Sequence, residues 1–284
     1  MGNALAADLA RTLNPALMAP TIGFNPDPWQ QIVLEEKAAR TLLNCHRQAG
    51  KSTVAGVAAS NEATYNAGSI TLLISPSQRQ SGELFRKVAG IYKTLWKAPR
   101  ETVDTTLFDV NEAGRLTLEA SSDPAPESET ALTMELENGS RIISLPGRDD
   151  STIRGYSGVA LIIVDEAAMV TDTLVNAISP MLAVSGGRLL ALSTPKGKRG
   201  WFWEAWDKGS VYDRKTNPRG WMKIKAVATD CPRITPEFLA EELARMGERQ
   251  YSQEYMGEFL ETTGAAFSQE SIDRAFDTEV EPLF

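Results

Sequence analysis

The sequence predicts an α/β fold in which a mainly parallel central sheet is flanked by helices. Short apolar runs at Arg40–Cys45, Ile70–Ser75, Ala160–Asp165 and Gly187–Ser193 alternate with stretches of helical spacing. Apolar runs that lack polar alternation are typical of strands buried on both faces, which in turn need helical crossovers between them. The first run leads straight into a glycine–lysine turn, and the third ends in two carboxylates. Ligands of parallel sheets bind beyond the carboxyl ends of the strands, which is where both features fall.

Taken in order, Arg40–Cys45 is a first strand and Thr53–Tyr65, rich in alanine, a helix. Ile70–Ser75 is a second strand stopped by Pro76, and Gln78–Trp96 a helix with Leu84, Val88, Ile91 and Leu95 on one face. The middle differs. Arg115–Glu119, Ala131–Glu137 and Arg141–Leu145 alternate apolar and polar residues, and Asn138-Gly139 stands between the last two. That pair favours a hairpin because both residues accept positive φ. An antiparallel addition to the parallel sheet is therefore expected, with Ser121–Glu129 as a polar loop. Beyond Gly200 the alternation gives way to an aromatic helix (Trp201, Phe202, Trp203, Trp206), a strand over Trp221–Val227, and helical patterns starting near Thr235 and Glu248. This suggests a core over 1–200, a small appended subdomain over 201–262, and the start of a linker over 263–284.

Composition narrows the function. Cys45 and Cys231 form no CxxC pair, which fits a reducing cytoplasm without a disulfide framework. His46 is the only histidine, so catalysis through a histidine base is not expected, and a local structural role is read for it and Cys45. No run reaches the roughly 18 apolar residues of a membrane helix. The chain carries a net charge of −8, yet nine Lys/Arg face three Asp/Glu between Ser193 and Lys225. That local excess is either an anion-facing surface or a solvated face.

Cys45-His46-Arg47-Gln48-Ala49-Gly50-Lys51-Ser52 matches the Walker A pattern, with Cys45 in place of its first glycine. Such a loop aims successive backbone N–H groups and a helix N-terminus at phosphates. Arg47, Gln48, Ala49, Gly50, Lys51, Ser52 and Thr53 are the expected nucleotide-binding set. Lys51 would reach the β- and γ-phosphates, and the Ser52 hydroxyl would ligate Mg²⁺. Leu161-Ile162-Ile163-Val164-Asp165-Glu166 is an apolar strand ending in acids. Asp165 would hold Mg²⁺ and Glu166 would orient the attacking water. Together these pairs read as a P-loop ATPase. Ser193-Thr194-Pro195, ending the next strand, is either a γ-phosphate-sensing coupling element or an ordinary strand-to-loop transition. In Asp27-Pro28-Trp29-Gln30, Gln30 could read the adenine edge with Trp29 packed on the base; equally, the run could be a helix start with Trp29 in the core. Arg47 and Arg154 are the arginines best placed to act on phosphates, Arg154 either as an arginine finger or as a surface residue.

The combination resembles the large subunit of a tailed-phage terminase. The shared features are the arginine-containing Walker A turn, Val164-Asp165-Glu166-Ala167, Ser193-Thr194-Pro195-Lys196-Gly197 and Pro28-Trp29-Gln30. Asn138-Gly139-Ser140, Ile153-Arg154-Gly155 and Tyr255-Met256-Gly257-Glu258-Phe259 also match the family's pattern. The resemblance implies an ASCE-type P-loop NTPase core with a lid subdomain, and ATP as substrate with Mg²⁺. It implies a homo-oligomeric ring, a pentamer by family resemblance, docked on a portal protein around double-stranded DNA. A terminase small subunit is the further partner, no membrane is involved, and the setting is the host cytoplasm at the viral procapsid. It also implies that Arg154 acts in trans on a neighbour's ATP. The family's C-terminal nuclease domain would begin near Gly264-Ala265-Ala266-Phe267, so DNA cleavage is not expected from this chain. Two alternatives stand beside this reading: a DExx-type helicase, and a low-turnover nucleotide-binding assembly scaffold.

Overall fold

The computed structural model describes residues 3–97, 124–147, 153 and 155–261. Arg154, the alternation at Arg115–Glu119 and the tail over 263–284 lie outside them. Among the described residues, eight strands form one sheet: β1 (Arg40–Cys45), β2 (Ile70–Ser75), β3 (Pro126–Glu129), β4 (Thr133–Leu136), β5 (Arg141–Pro146), β6 (Val159–Asp165), β7 (Arg188–Ser193) and β8 (Trp221–Ala226). Their spatial order is β3-β4-β5-β2-β6-β7-β1-β8. The six strands from β5 to β8 along this order are parallel, and β3 and β4 add an antiparallel edge next to β5. The α/β fold and its antiparallel addition are thus as the sequence predicts.

The α-helices around the sheet are α1 (Asn3–Leu13), α2 (Pro28–Glu36), α3 (Lys51–Tyr65), α4 (Gln78–Lys97), α5 (Asp172–Ser185), α6 (Gly200–Asp207) and α7 (Pro236–Glu254). Because side chains alternate along a strand, each central strand feeds two cores. Leu43, Leu73, Ile163 and Leu192 join α3 and α4 on one face; Leu42, Leu72, Ile162 and Ala191 join α5 and α6 on the other. Two-sided burial explains why these strands read as unbroken apolar runs. On the first face, a methyl group added at Gly56 of α3 would collide with Ile91 of α4, so the two helices pack at glycine distance. The α4 residues Leu84, Val88 and Leu95 are buried, as their spacing predicts.

The hairpin expected at Asn138-Gly139 joins β4 to β5, with Gly139 at φ 78°. The Asn138 side chain reaches across to the Ala63 carbonyl at the end of α3, 2.9 Å away, so the turn is tied to the helix layer. Two expectations change. Part of the loop expected over Ser121–Glu129 is strand β3, whose exposed, acidic residues gave no apolar alternation to reveal it. Second, the strand assigned to the appended subdomain is β8, which pairs in parallel along the whole of β1, from Arg40↔Trp221 to Cys45↔Ala226. Three of its six residues are half-buried and one is exposed, as suits an edge strand. The two late helical patterns are the halves of α7, broken at Gly247, whose φ of 77° and ψ of 161° no helix accommodates. Leu239, Tyr255 and Ala228 form a small separate core with this helix.

Candidate nucleotide site

The carboxyl ends of β1, β7 and β6 lie side by side. From β1 the chain passes His46 and Arg47 into the turn that begins α3. Gln48 (φ 58°) and Gly50 (φ 82°) both take the left-handed conformation, which turns the chain sharply enough for Gly50 to sit at the helix N-cap. Backbone N–H groups around such residues form an anion-binding concavity, reinforced by the positive end of α3. Lys51 opens the helix, and its side chain is only 9% exposed. Cys45, at the pattern's first glycine, is fully buried, and burial pushes its thiol up to about 12, so it packs as a small apolar group. His46 is buried as well, and its Nδ1 lies 2.5 Å from the Arg47 carbonyl.

Glu166 follows β6 and also sits in the left-handed region (φ 49°, ψ 46°), a conformation that costs a glutamate energy and that clusters at functional sites. It is held there by the tight turn that follows, in which Met169 N–H donates to the Glu166 carbonyl at 2.8 Å. The result is an ion pair: Lys51 Nζ is 3.5 Å from Glu166 Oε1. The beginning of α3 and the end of β6, far apart in the chain, therefore meet through the two residues on which the sequence reading rests. Asp165 lies next to them. Burial, then the neighbouring Glu166 carboxylate, push its carboxyl up to about 6, against the pull of Lys51. A buried acid raised in this way gains from a nearby cation. Among the described residues no cluster of three or more His, Cys, Asp or Glu could form a metal cage by itself. The donor types at hand, the Asp165 carboxylate and the Ser52 hydroxyl, are of the kind that suits Mg²⁺, which takes few protein ligands and completes its shell with water and phosphate oxygens.

Ser193, buried at the end of β7, lies between the other two strand ends. Its hydroxyl accepts from Ala168 N–H at 3.2 Å and donates to the Thr194 carbonyl at 2.7 Å, so it ties the segment after Glu166 to the loop that leads to α6. Pro195 is buried and Thr194 half-buried.

Arg47 leaves the turn outward. Its N–H donates to the Glu254 carbonyl at 3.1 Å and its Nε is 3.3 Å from Glu254 Oε2, which couples the loop to the last residue of α7. Sequence gave no sign of this partner, since nothing marks Glu254 among the acids of α7. Gln30 differs from the base-reading expectation. Fully buried, it accepts from Asp27 N–H at 2.7 Å and donates to the Ala49 carbonyl at 2.8 Å, so both ends of its amide are taken by backbone. Its exchange with Asp27 is one half of a capping box, and this favours the helix-start reading of the motif. Trp29 packs against the core on the α3 face, the second part of the same reading. The basic stretch also divides. Lys196, Lys198 and Arg199 follow β7 at the site's end of the sheet, whereas Arg214, Lys215 and Arg219 precede the parallel β8 and so lie at the opposite end.

Gly50 offers a direct check of this geometry. A Cβ there would lie 2.8 Å from Gln30 Nε2, at a φ that L residues disfavour by about 1–2 kcal/mol. Gly50→Ala is expected to weaken binding of a fluorescent adenine nucleotide by about tenfold or more. Unchanged affinity would mean that the loop tolerates a different shape.

A strand, a phosphate-type turn, a helix and an acid-ended strand separated from the first by β7 define this chain as an α/β protein of the P-loop NTPase class. The family model "Terminase large subunit, T4likevirus-type, N-terminal" matches residues 44–274, and the chain belongs to that family. The terminase large subunit of Thermus phage G20c is 28% identical over 262 residues, spanning 87% of this chain and 51% of that protein. The chain thus covers about half the length of that relative. Among solved structures, the large terminase ATPase domain of Thermus phage P74-26 superposes with a TM-score of 0.62 at 23% identity, covering 85% of this chain and 96% of that one. The large terminase of a thermophilic bacteriophage, solved in complex with ADP, gives a TM-score of 0.56 at 14% identity, covering 82% and 53%. At these identities the likeness supports the fold.

Proposed function

We propose that this chain hydrolyses ATP to drive double-stranded viral DNA into a procapsid, as the ATPase portion of a terminase large subunit. The observation that carries the chemistry is the 3.5 Å approach of Lys51 to Glu166, beside the raised carboxyl of Asp165. In this reading the N–H groups of the Arg47–Thr53 turn and the Lys51 ammonium hold the phosphates. Glu166 accepts a hydrogen bond from the attacking water and turns its lone pair towards the γ-phosphorus. Mg²⁺, when bound with the nucleotide, supplies neutralisation of phosphate charge; Ser52 and Asp165 would hold it. Arg154 enters a neighbour's site in a ring and offsets charge on the transferring phosphoryl group. Ser193, already bonded to the segment after Glu166, passes the state of the site through Thr194 and Pro195 towards α6. A portal protein and a terminase small subunit are the expected partners, with the procapsid in the host cytoplasm as the setting. ATP turnover by the purified chain, stimulated by DNA and lost in Lys51→Ala, tests this reading; full turnover in Lys51→Ala refutes it.

DNA contact has a separate test. Of the basic residues, Lys196 and Arg199 are exposed near the coupling loop, while Lys198 is 3.7 Å from Glu261. If Lys196 and Arg199 meet phosphates, neutralising both should lower the slope of log affinity against log salt by about 0.9 per lost contact. An unchanged slope places the DNA elsewhere.

A further inference from the structure

We propose that Arg233, in the connector before α7, is a positioning residue for the phosphate-facing loop and acts on it through Asp27 and Gln30. The inference rests on the nucleotide-site reading above. The Arg233 guanidinium holds both oxygens of Asp27, with Nη1 to Oδ1 at 2.9 Å and Nη2 to Oδ2 at 2.6 Å. This two-pronged geometry fixes direction as well as distance. The Asp27 side chain is only 7% exposed, so loss of Arg233 would leave a buried carboxylate without this ion-pair partner.

From Asp27 the connection continues through backbone. Asp27 N–H donates to Gln30 Oε1 at 2.7 Å, and Gln30 Nε2 donates to the Ala49 carbonyl at 2.8 Å. Ala49 directly precedes Gly50, whose missing Cβ leaves the room that Gln30 Nε2 occupies. Four residues from three parts of the chain thus form one continuous path from the α7 connector to the turn. Gln30 and Asp27 are buried, so competition from water is weak along its inner half.

The path is separate from the Arg47–Glu254 contact, which grips the outer side of the same loop. Arg233 precedes the first half of α7 and Glu254 ends the second, so the loop is held from both sides of the break at Gly247. A shift of the connector would pull Asp27, release or rotate Gln30, and free the Ala49 carbonyl. The N–H groups that face the phosphates would then have to be ordered at a cost in affinity. Arg233 need not touch the nucleotide for this effect.

The test is a double-mutant cycle on the full chain, reading the Kd of Mg-ADP and Mg-inosine diphosphate, with thermal melts to confirm folding. Arg233→Gln and Gln30→Ala should each weaken binding about tenfold. Their combination should be no more than about threefold weaker than Gln30→Ala alone, because Arg233 acts through Gln30. Arg233→Lys, which keeps the charge, should recover part of the loss. Both nucleotides should weaken by the same factor, since a braced loop senses phosphates and not the base. Wild-type affinity in Arg233→Gln overturns the inference, as does a double variant whose loss is the product of the single losses. A Gln30→Ala loss confined to ADP overturns it too, because that is the mark of an amide reading adenine. Failure of the wild-type chain itself to bind either nucleotide would defeat the site reading instead.

Discussion

Glu166→Gln is expected to lower ATP turnover by about 10²–10⁴-fold, the usual contribution of a positioned general base, while ATP binds at least as tightly as in the wild type. The sign of the binding effect follows from the ion pair. Glu166 Oε1 lies 3.5 Å from Lys51 Nζ, so the carboxylate competes with phosphate for the same ammonium group. Removing its charge leaves Lys51, buried to 9% exposure, with a greater need for an anion, and phosphate can supply it. Lys51→Ala should behave in the opposite way, losing affinity and turnover together. Single-turnover hydrolysis and a fluorescent-nucleotide titration of the two variants separate the roles. Wild-type turnover in Glu166→Gln would remove Glu166 from the chemistry. An affinity loss beyond about tenfold would show that its main role is to hold the loop in shape.

The main features of the site were legible because local sequence dictates them. Gly50-Lys51 after an apolar strand demands a tight turn, and Asp165-Glu166 can only emerge where β6 ends. The two-faced burial of β1, β2, β6 and β7 produces the apolar runs by which they are recognised. What was not legible depends on distant partners. Gln30 has the chemistry to read a base, and only the positions of Asp27 N–H and the Ala49 carbonyl show that both ends of its amide are engaged. Arg233 and Glu254 carry no local mark, because an arginine in a connector and a glutamate in an acidic helix look alike wherever they point. The basic stretch between Ser193 and Lys225 misled for a topological reason. Proximity in sequence suggested one surface, but a parallel β8 requires the chain to cross the length of the sheet before entering it.

Phe259→Ala is expected to destabilise the chain by about 3 kcal/mol, the lower end of the range for deleting a buried phenyl ring, and to lower Tm by roughly 6–12 °C. Phe259 closes the segment after α7 and is 9% exposed. Its ring lies 4.8 Å from that of Trp203, and 6.0 Å from those of Phe202 and Trp206, so it completes an aromatic cluster on α6 that belongs to one of the two main cores. Two residues earlier, Gly257 takes φ 64° and its carbonyl accepts from Asn44 Nδ2 at 2.7 Å. Asn44 stands in β1, just ahead of the turn that begins α3. The closing segment is thus fastened at one point to the strand that carries the turn and at the next to the helix that follows the loop after β7. Loss of the ring should therefore appear as a lower urea midpoint with an unchanged m-value, if the fold still unfolds as one unit. Val184→Ala, at a residue 91% exposed, should stay within about 0.5 kcal/mol of the wild type. A Phe259→Ala chain as stable as Val184→Ala would show that the aromatic cluster holds without its fourth ring. A lower m-value, or a first transition that leaves the sheet intact, would show that the segment after α7 unfolds independently of the core.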